Sequence, residues 1–335
     1  MKRTLFIGML GFFALMSGYA QQGEGARKGR VVREPLVHDP VMAKEGDTYY
    51  LYSTGHNVSS FSSKDLSEWT IRHGVFPAPP QWAMDSIPEY KGHTWAPDII
   101  YYKGNYHLFY SCSAFGKNTS AIGHAYRSTL SPASDEPWTD TGAVIVSHSH
   151  DNFNAIDPNI VVDEKGDPWM AFGSFWGGIQ LVRLTEDLTS TLKPEKLYTI
   201  CTRQFEGASD IPSRPVNSVE APFIFKHGGY YYLFVSYDFC CRGLKSDYKV
   251  VVGRSARVTG PYVDKDGREL TRGGGSLVVD YSDEFVAIGH SAAYHFDGKD
   301  YFMAHGYSRS DDGASKLFFR EMTWDEEGWP LVSAE

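Results

Sequence analysis

The stretch Ser218-Val219-Glu220-Ala221-Pro222-Phe223-Ile224-Phe225-Lys226-His227-Gly228-Gly229-Tyr230-Tyr231-Tyr232-Leu233-Phe234-Val235-Ser236 holds an acid ahead of a proline, an apolar run, a glycine turn and an aromatic run. Two short runs of β-branched and aromatic residues around glycine read as a β-hairpin. The arrangement recurs four more times. His38-Asp39-Pro40-Val41-Met42 leads through Gly46 to Tyr49-Tyr50-Leu51-Tyr52-Ser53, and Trp95-Ala96-Pro97-Asp98-Ile99 through Gly104 to Tyr106-His107-Leu108-Phe109-Tyr110. Ile156-Asp157-Pro158-Asn159-Ile160 leads through Gly166 to Trp169-Met170-Ala171-Phe172, and Gly289-His290-Ser291-Ala292-Ala293 through Gly298 to Tyr301-Phe302-Met303-Ala304.

The prolines stand at 40, 97, 158 and 222, with Ser291 in the equivalent place, so successive copies are 57, 61, 64 and 69 residues apart. A unit of this length with strand-turn-strand content suits a four-stranded propeller blade. Ala121–Tyr126, Ile179–Leu184 and Lys249–Arg254 supply third strands between copies. No stretch between strands shows helical periodicity, which argues against a βαβ sheet. The expectation is an all-β chain, a single five-bladed β-propeller over residues 35–335.

The 335 residues are 42% hydrophobic and 15% aromatic, enough for a substantial core. Met1-Lys2-Arg3, the apolar run Leu5 to Met16 and the small residues before Gln21 read as a signal peptide over 1–20, cut after Ala20. Residues 21–34 read as a flexible leader. A secreted or periplasmic protein is expected. Export permits disulfides, but four cysteines are too few for a disulfide scaffold. Cys112, Cys201, Cys240 and Cys241 allow three pairings. A bond between the adjacent pair would close a strained ring, and buried small residues account for them at least as well. The net charge of −9 and the lack of a basic cluster argue against nucleic acid, and nothing favours an anionic membrane. A neutral partner and a monomeric chain are expected.

In a propeller the first strand of each blade lines the axis, so the five copy starts converge. Asp39, Asp157 and Glu220 are acids at that phase, and proline is expected to keep the residue before it extended. Turn chemistry alone explains one Asp-Pro, but three acids in phase point to catalysis. Crowded carboxylates raise at least one pKa, which acid/base cleavage of a glycosidic bond needs. Trp95, Phe115 and Trp176, the last in the Phe175-Trp176-Gly177-Gly178 turn, offer flat rings for sugar faces. Tyr49, Tyr50, Tyr106, Tyr231 and Tyr301 read instead as filling between blades. His290 on the axis suits a metal or a ligand hydrogen bond.

The ordered set His38-Asp39-Pro40, Trp95-Ala96-Pro97-Asp98, Ala155-Ile156-Asp157-Pro158, Gly173-Ser174-Phe175-Trp176-Gly177-Gly178, Val219-Glu220-Ala221-Pro222 and Ile288-Gly289-His290 resembles the family 43 glycoside hydrolases, most closely their arabinanases, from about Val37 to Trp329. Phe239-Cys240-Cys241-Arg242-Gly243 and Gly260-Pro261-Tyr262-Val263-Asp264 are also similar to arabinanase segments. The resemblance implies inverting hydrolysis of α-1,5-linked arabinan, with Asp39 as base, Glu220 as acid and Asp157 tuning Glu220. It implies Trp95, Phe115, Ser174, Trp176 and His38 in the sugar subsites, and a calcium ion held by His290 with water. Ser291 departs from the family pattern, where Asn more often follows the histidine.

Two other readings follow from the same residues. A xylosidase or arabinofuranosidase would share the fold, and a non-catalytic sugar-binding propeller would keep the aromatic rings without needing three acids. Ala78–Gly92 and Cys201–Asn217 are the expected walls that decide between endo and exo cutting.

Overall fold

The computed structural model describes residues 29–203 and 217–335. The expected signal peptide, most of the leader and the body of the wall expected between Cys201 and Asn217 lie outside the described residues. Five antiparallel sheets follow one another along the chain as five blades. Their innermost long strands are Val41–Glu45, His93–Tyr102, Asn159–Val162, Val219–His227 and Phe285–Phe296. Each is followed by its hairpin partner: Thr48–Ser53, Asn105–Cys112, Pro168–Phe172, Tyr230–Tyr237 and Lys299–Ser308. The expected third strands form as Ser120–Arg127, Ile179–Arg183 and Lys249–Ser255.

Blades stack face to face, so second strands are covered on both sides and read as unbroken apolar and aromatic runs. Leu51, Leu108, Met170, Leu233 and Phe302, one from each second strand, are wholly buried. Tyr49, Tyr50, Tyr106 and Tyr231 are buried as expected, and Tyr301 stacks on Phe319.

Two local features differ from the sequence reading. Val31–Val32 pairs with Thr70 and Trp69, so the first sheet begins inside the segment read as a leader. Pro35 and Val37 then exchange backbone hydrogen bonds with Leu317 and Ser315 of the last blade, which closes the circle. The Ala78–Gly92 insert contains a short helix, Gln81–Ser86, anchored by Trp82 Nε1 to Asp140 of the second blade. Among the described residues no helix is long and apolar enough to cross a membrane.

Candidate active site

The strand starts carry a backbone device that repeats in all five blades. Asp39, Ala96, Asp157, Ala221 and His290 have φ of +58°, +25°, +57°, +55° and +52°. The expectation that proline keeps its predecessor extended fails at all four such positions, Asp39, Ala96, Asp157 and Ala221. Pairing registers break between Trp95 and Asp98, Glu220 and Phe223, and Gly289 and Ala292, the mark of a β-bulge that re-aims a side chain. A left-handed residue other than glycine costs about 1–2 kcal/mol. Here each left-handed N–H leaves its own ladder and donates to the preceding blade.

Those acceptors form a ring around the axis. Ala96 N donates to Thr54 Oγ1 (2.8 Å), Asp157 N to Ser111 Oγ (3.0 Å), and His290 N to Ser236 Oγ (2.8 Å). Asp39 N donates to His305 Nδ1 (3.1 Å) and so joins the first blade to the last. Ala221 N donates to Asp157 Oδ2 (3.1 Å), because the third blade has Gly173 where the others carry a hydroxyl or imidazole. A buried hydrogen bond contributes about 1 kcal/mol, which offsets much of each backbone cost.

The three acids stand at this ring and are buried. Asp39 Oδ1 lies 2.8 Å from His38 Nδ1 and 2.9 Å from His290 Nδ1, and Thr54 Oγ1 donates to its Oδ2 at 2.5 Å. Burial works against ionisation, but His290 and His38 hold the Asp39 carboxyl well below the usual range. Burial also opposes charge on His290, yet Asp39, with Asp157 and Glu220 behind it, raises that imidazole to about 9. Asp157 behaves oppositely. Burial, resisted by His290 and reinforced by the charges of Glu220 and Asp39, pushes its carboxyl up to about 8. Glu220 accepts from Ser174 Oγ at Oε2 and from Tyr248 Oη at Oε1, both at 2.7 Å. At neutral pH the site therefore holds an ionised Asp39 and a protonated Asp157, a split that two-carboxylate chemistry can use.

His38, Asp39, Asp157, Ser174, Glu220 and His290 are thus joined in one place. The aromatic residues surround it less tightly. Trp95 immediately precedes Ala96 of the ring and donates from Nε1 to His93. Trp176 (φ +36°) is 36% exposed beyond Ser174, its carbonyl held by Asn217. Phe115 is 82% exposed and is not tied to the acid network. Among the described residues, His38, Asp39 and His305 offer ligand atoms within 4.8 Å of one another. Those atoms are already engaged in the bonds given above and in a His38 Nε2–Tyr307 Oη contact of 2.8 Å.

Sequence reasoning missed Tyr248, Tyr307, His305 and the ring acceptors. The acceptors had a signal: Thr54, Ser111, Ser236 and His305 each stand 15 residues after the left-handed position of their own blade. The cysteines meet the expectation in two positions and depart from it in the other two. Cys112 and Cys201 are buried and free, whereas Cys240 and Cys241 are bonded to each other, with Cys241 exposed.

Residues 29–330 match the family model described as glycosyl hydrolases family 43. The chain is 48% identical to the extracellular exo-α-(1→5)-L-arabinofuranosidase ArbA of Cellvibrio japonicus, over 88% of this chain and 86% of that protein. It is 40% identical to the extracellular endo-α-(1→5)-L-arabinanase 1 of Bacillus subtilis, over 88% and 87%. The crystal structure of an exo-1,5-α-L-arabinanase from a bovine ruminal metagenomic library superposes with a TM-score of 0.84 at 50% identity, covering 90% of this chain and 98% of that one.

Proposed function

The chain belongs to glycosyl hydrolase family 43, and from that membership we propose that it hydrolyses α-1,5-L-arabinofuranosidic bonds of arabinan by single displacement with inversion. The observation that carries the proposal is the junction of Asp39, Asp157 and Glu220 at one ring, with charges pushed apart by their surroundings. The named activities of the similar proteins supply the substrate.

Asp39, kept ionised, is the base that takes a proton from the attacking water. Glu220 protonates the leaving oxygen, and Ser174 and Tyr248 hold its two oxygens in place. Asp157 fixes the Glu220 strand through Ala221 N–H and, as the neighbouring carboxyl, orients and tunes the acid. Trp95, Trp176 and Phe115 offer faces to sugar rings, and His38 stands beside the base. The Asp39 contact to His290 Nδ1 is the arrangement of a carboxylate-oriented metal ligand, so Nε2 of His290 would hold a calcium ion with water completing its shell. Bound there, the ion would supply fixed positive charge in place of the imidazolium proton. Residues 1–20 act as an export signal, in keeping with relatives named extracellular.

Purified protein incubated with linear arabinan should release reducing ends, with the β-anomer appearing first in proton NMR. Glu220→Gln and Asp39→Asn should each abolish release while thermal unfolding stays cooperative. Near-full activity in either variant would remove its assigned role, and an α-anomer as first product would remove inversion. One released size over time means exo cutting, and a spread means endo.

A further inference from the structure

A chain of hydrogen bonds runs from the exposed Cys240–Cys241 turn to Asp39. The turn follows Tyr230–Tyr237, and the bonded pair holds Cys241 at φ +64°. Cys241 N donates to Tyr307 Oη at 2.7 Å. Tyr307 Oη is 2.8 Å from His38 Nε2 and 3.3 Å from His305 Nε2. His38 Nδ1 is 2.8 Å from Asp39 Oδ1, and Cys241 Sγ itself is 3.9 Å from His38 Nε2.

The direction of every proton in this chain follows from one fixed donor. Asp39 N–H can only donate, so His305 Nδ1 accepts and its proton sits on Nε2. The hydroxyl oxygen of Tyr307 then accepts from Cys241 N–H and His305 Nε2–H, and both lone pairs are used. The acceptor within hydrogen-bond distance left for its own proton is His38 Nε2 at 2.8 Å, ahead of the nearby Ser246 hydroxyl. His38 is therefore protonated on Nδ1 and donates to Asp39 Oδ1. Loss of the Cys241 N–H frees a lone pair on Tyr307, and with it the constraint on His38.

We propose that the Cys240–Cys241 disulfide turn and Tyr307 form a positioning device that holds His38 in the tautomer that donates to Asp39, so that turnover depends on the disulfide being closed. The inference rests on Asp39 being the base proposed above. A dithiol opens the turn by supplying two electrons and two protons. The sulfur–sulfur bond breaks, two cysteine thiols form, and the dithiol closes to its own cyclic disulfide. Without the small ring, nothing covalent holds the left-handed Cys241 with its N–H on Tyr307.

The experiment compares untreated protein, dithiothreitol-treated protein, Tyr307→Phe, and treated Tyr307→Phe on linear arabinan. Reduction and Tyr307→Phe should each lower kcat about tenfold, with KM within about twofold. Together they should do no more than either alone, because they break one chain. Cys112 and Cys201 are already free, so reduction acts on this one bond among the described residues. Nitrogen-15 NMR of the His38 ring should show Nδ1 protonated in untreated protein, and a tautomer mixture after reduction or in Tyr307→Phe. Unchanged kcat after reduction, multiplying effects, or an unaltered His38 spectrum would each overturn the proposal. An untreated protein with no hydrolysis would sink the functional reading instead, while the His38 spectrum still decides the positioning.

Discussion

Replacing Asp98 by asparagine should stabilise the protein above neutral pH. Asp98 follows Pro97 on the innermost strand of the second blade and is 2% exposed. Its Oδ2 accepts from Ile160 N (2.6 Å) and Asn159 Nδ2 (3.2 Å), which ties the second blade to the third. Burial is the largest influence and pushes the carboxyl up to about 7, despite these donors. An unfolded chain ionises the same group near 3.9. The folded state therefore retains a proton that the unfolded state has lost between pH 4 and pH 7. Stability from this group is complete below pH 4 and is lost as pH rises through 7. About three pH units at 1.36 kcal/mol each sets a ceiling of about 4 kcal/mol. Asparagine keeps a carbonyl for Ile160 N–H and never ionises. Urea unfolding of both proteins from pH 5 to 8.5, taken as a difference, cancels every other titrating group. The difference should move toward the variant by up to about 2.7 kcal/mol across that span, nearly all of it between pH 5 and 7. A flat difference, or a variant that loses ground in alkali, would refute the assignment of a buried protonated Asp98.

Gly289→Ala should damage catalysis as well as stability. A Cβ there lies 1.9 Å from Cδ1 of the buried Tyr248 ring, whose hydroxyl holds Glu220. A stability loss of about 1–3 kcal/mol should accompany a fall in kcat. Gly306→Ala, which presses on Phe285 rather than on Tyr248, should cost comparable stability with a smaller fall in kcat. Ala221→Gly relieves a left-handed alanine (φ +55°) and should leave stability unchanged or raise it by up to about 1 kcal/mol; a loss beyond that in denaturant titration would contradict the backbone argument. Trp176→Ala should raise KM for arabinan several-fold with kcat less affected, and equal falls in kcat and kcat/KM would place the ring in the transition state instead.

Much of the architecture was legible because propeller blades are written locally. The proline phase, the glycine turns and the aromatic second strands mark each hairpin within about twenty residues, and five equal phases imply closure. Asp39, Asp157, Glu220 and His290 were legible for the same reason, since phase places them together. The left-handed backbone was not legible. Proline's local preference for an extended predecessor gave way to hydrogen bonds from a neighbouring blade, and those arise only after closure. Tyr248 and Tyr307 were hidden because they reach the acids from just before a third strand and from within a second strand, where aromatic residues otherwise serve packing. The Cys240–Cys241 bond was disfavoured by the ring it requires, and an exposed turn accommodates that ring where a strand would not.

Gly173 gives the ring of blade-to-blade bonds a particular weak station. At φ +123°, with a Cβ falling 2.7 Å from Gly178 O, it admits no side chain to serve Ala221 N. Asp157 is thus both a member of the reactive trio and the fastener between the third and fourth blades. Trimming it to alanine would slacken the enclosure and alter the chemistry in one stroke. The isosteric asparagine, able to keep Ala221 N satisfied, is the substitution that can tell those two duties apart.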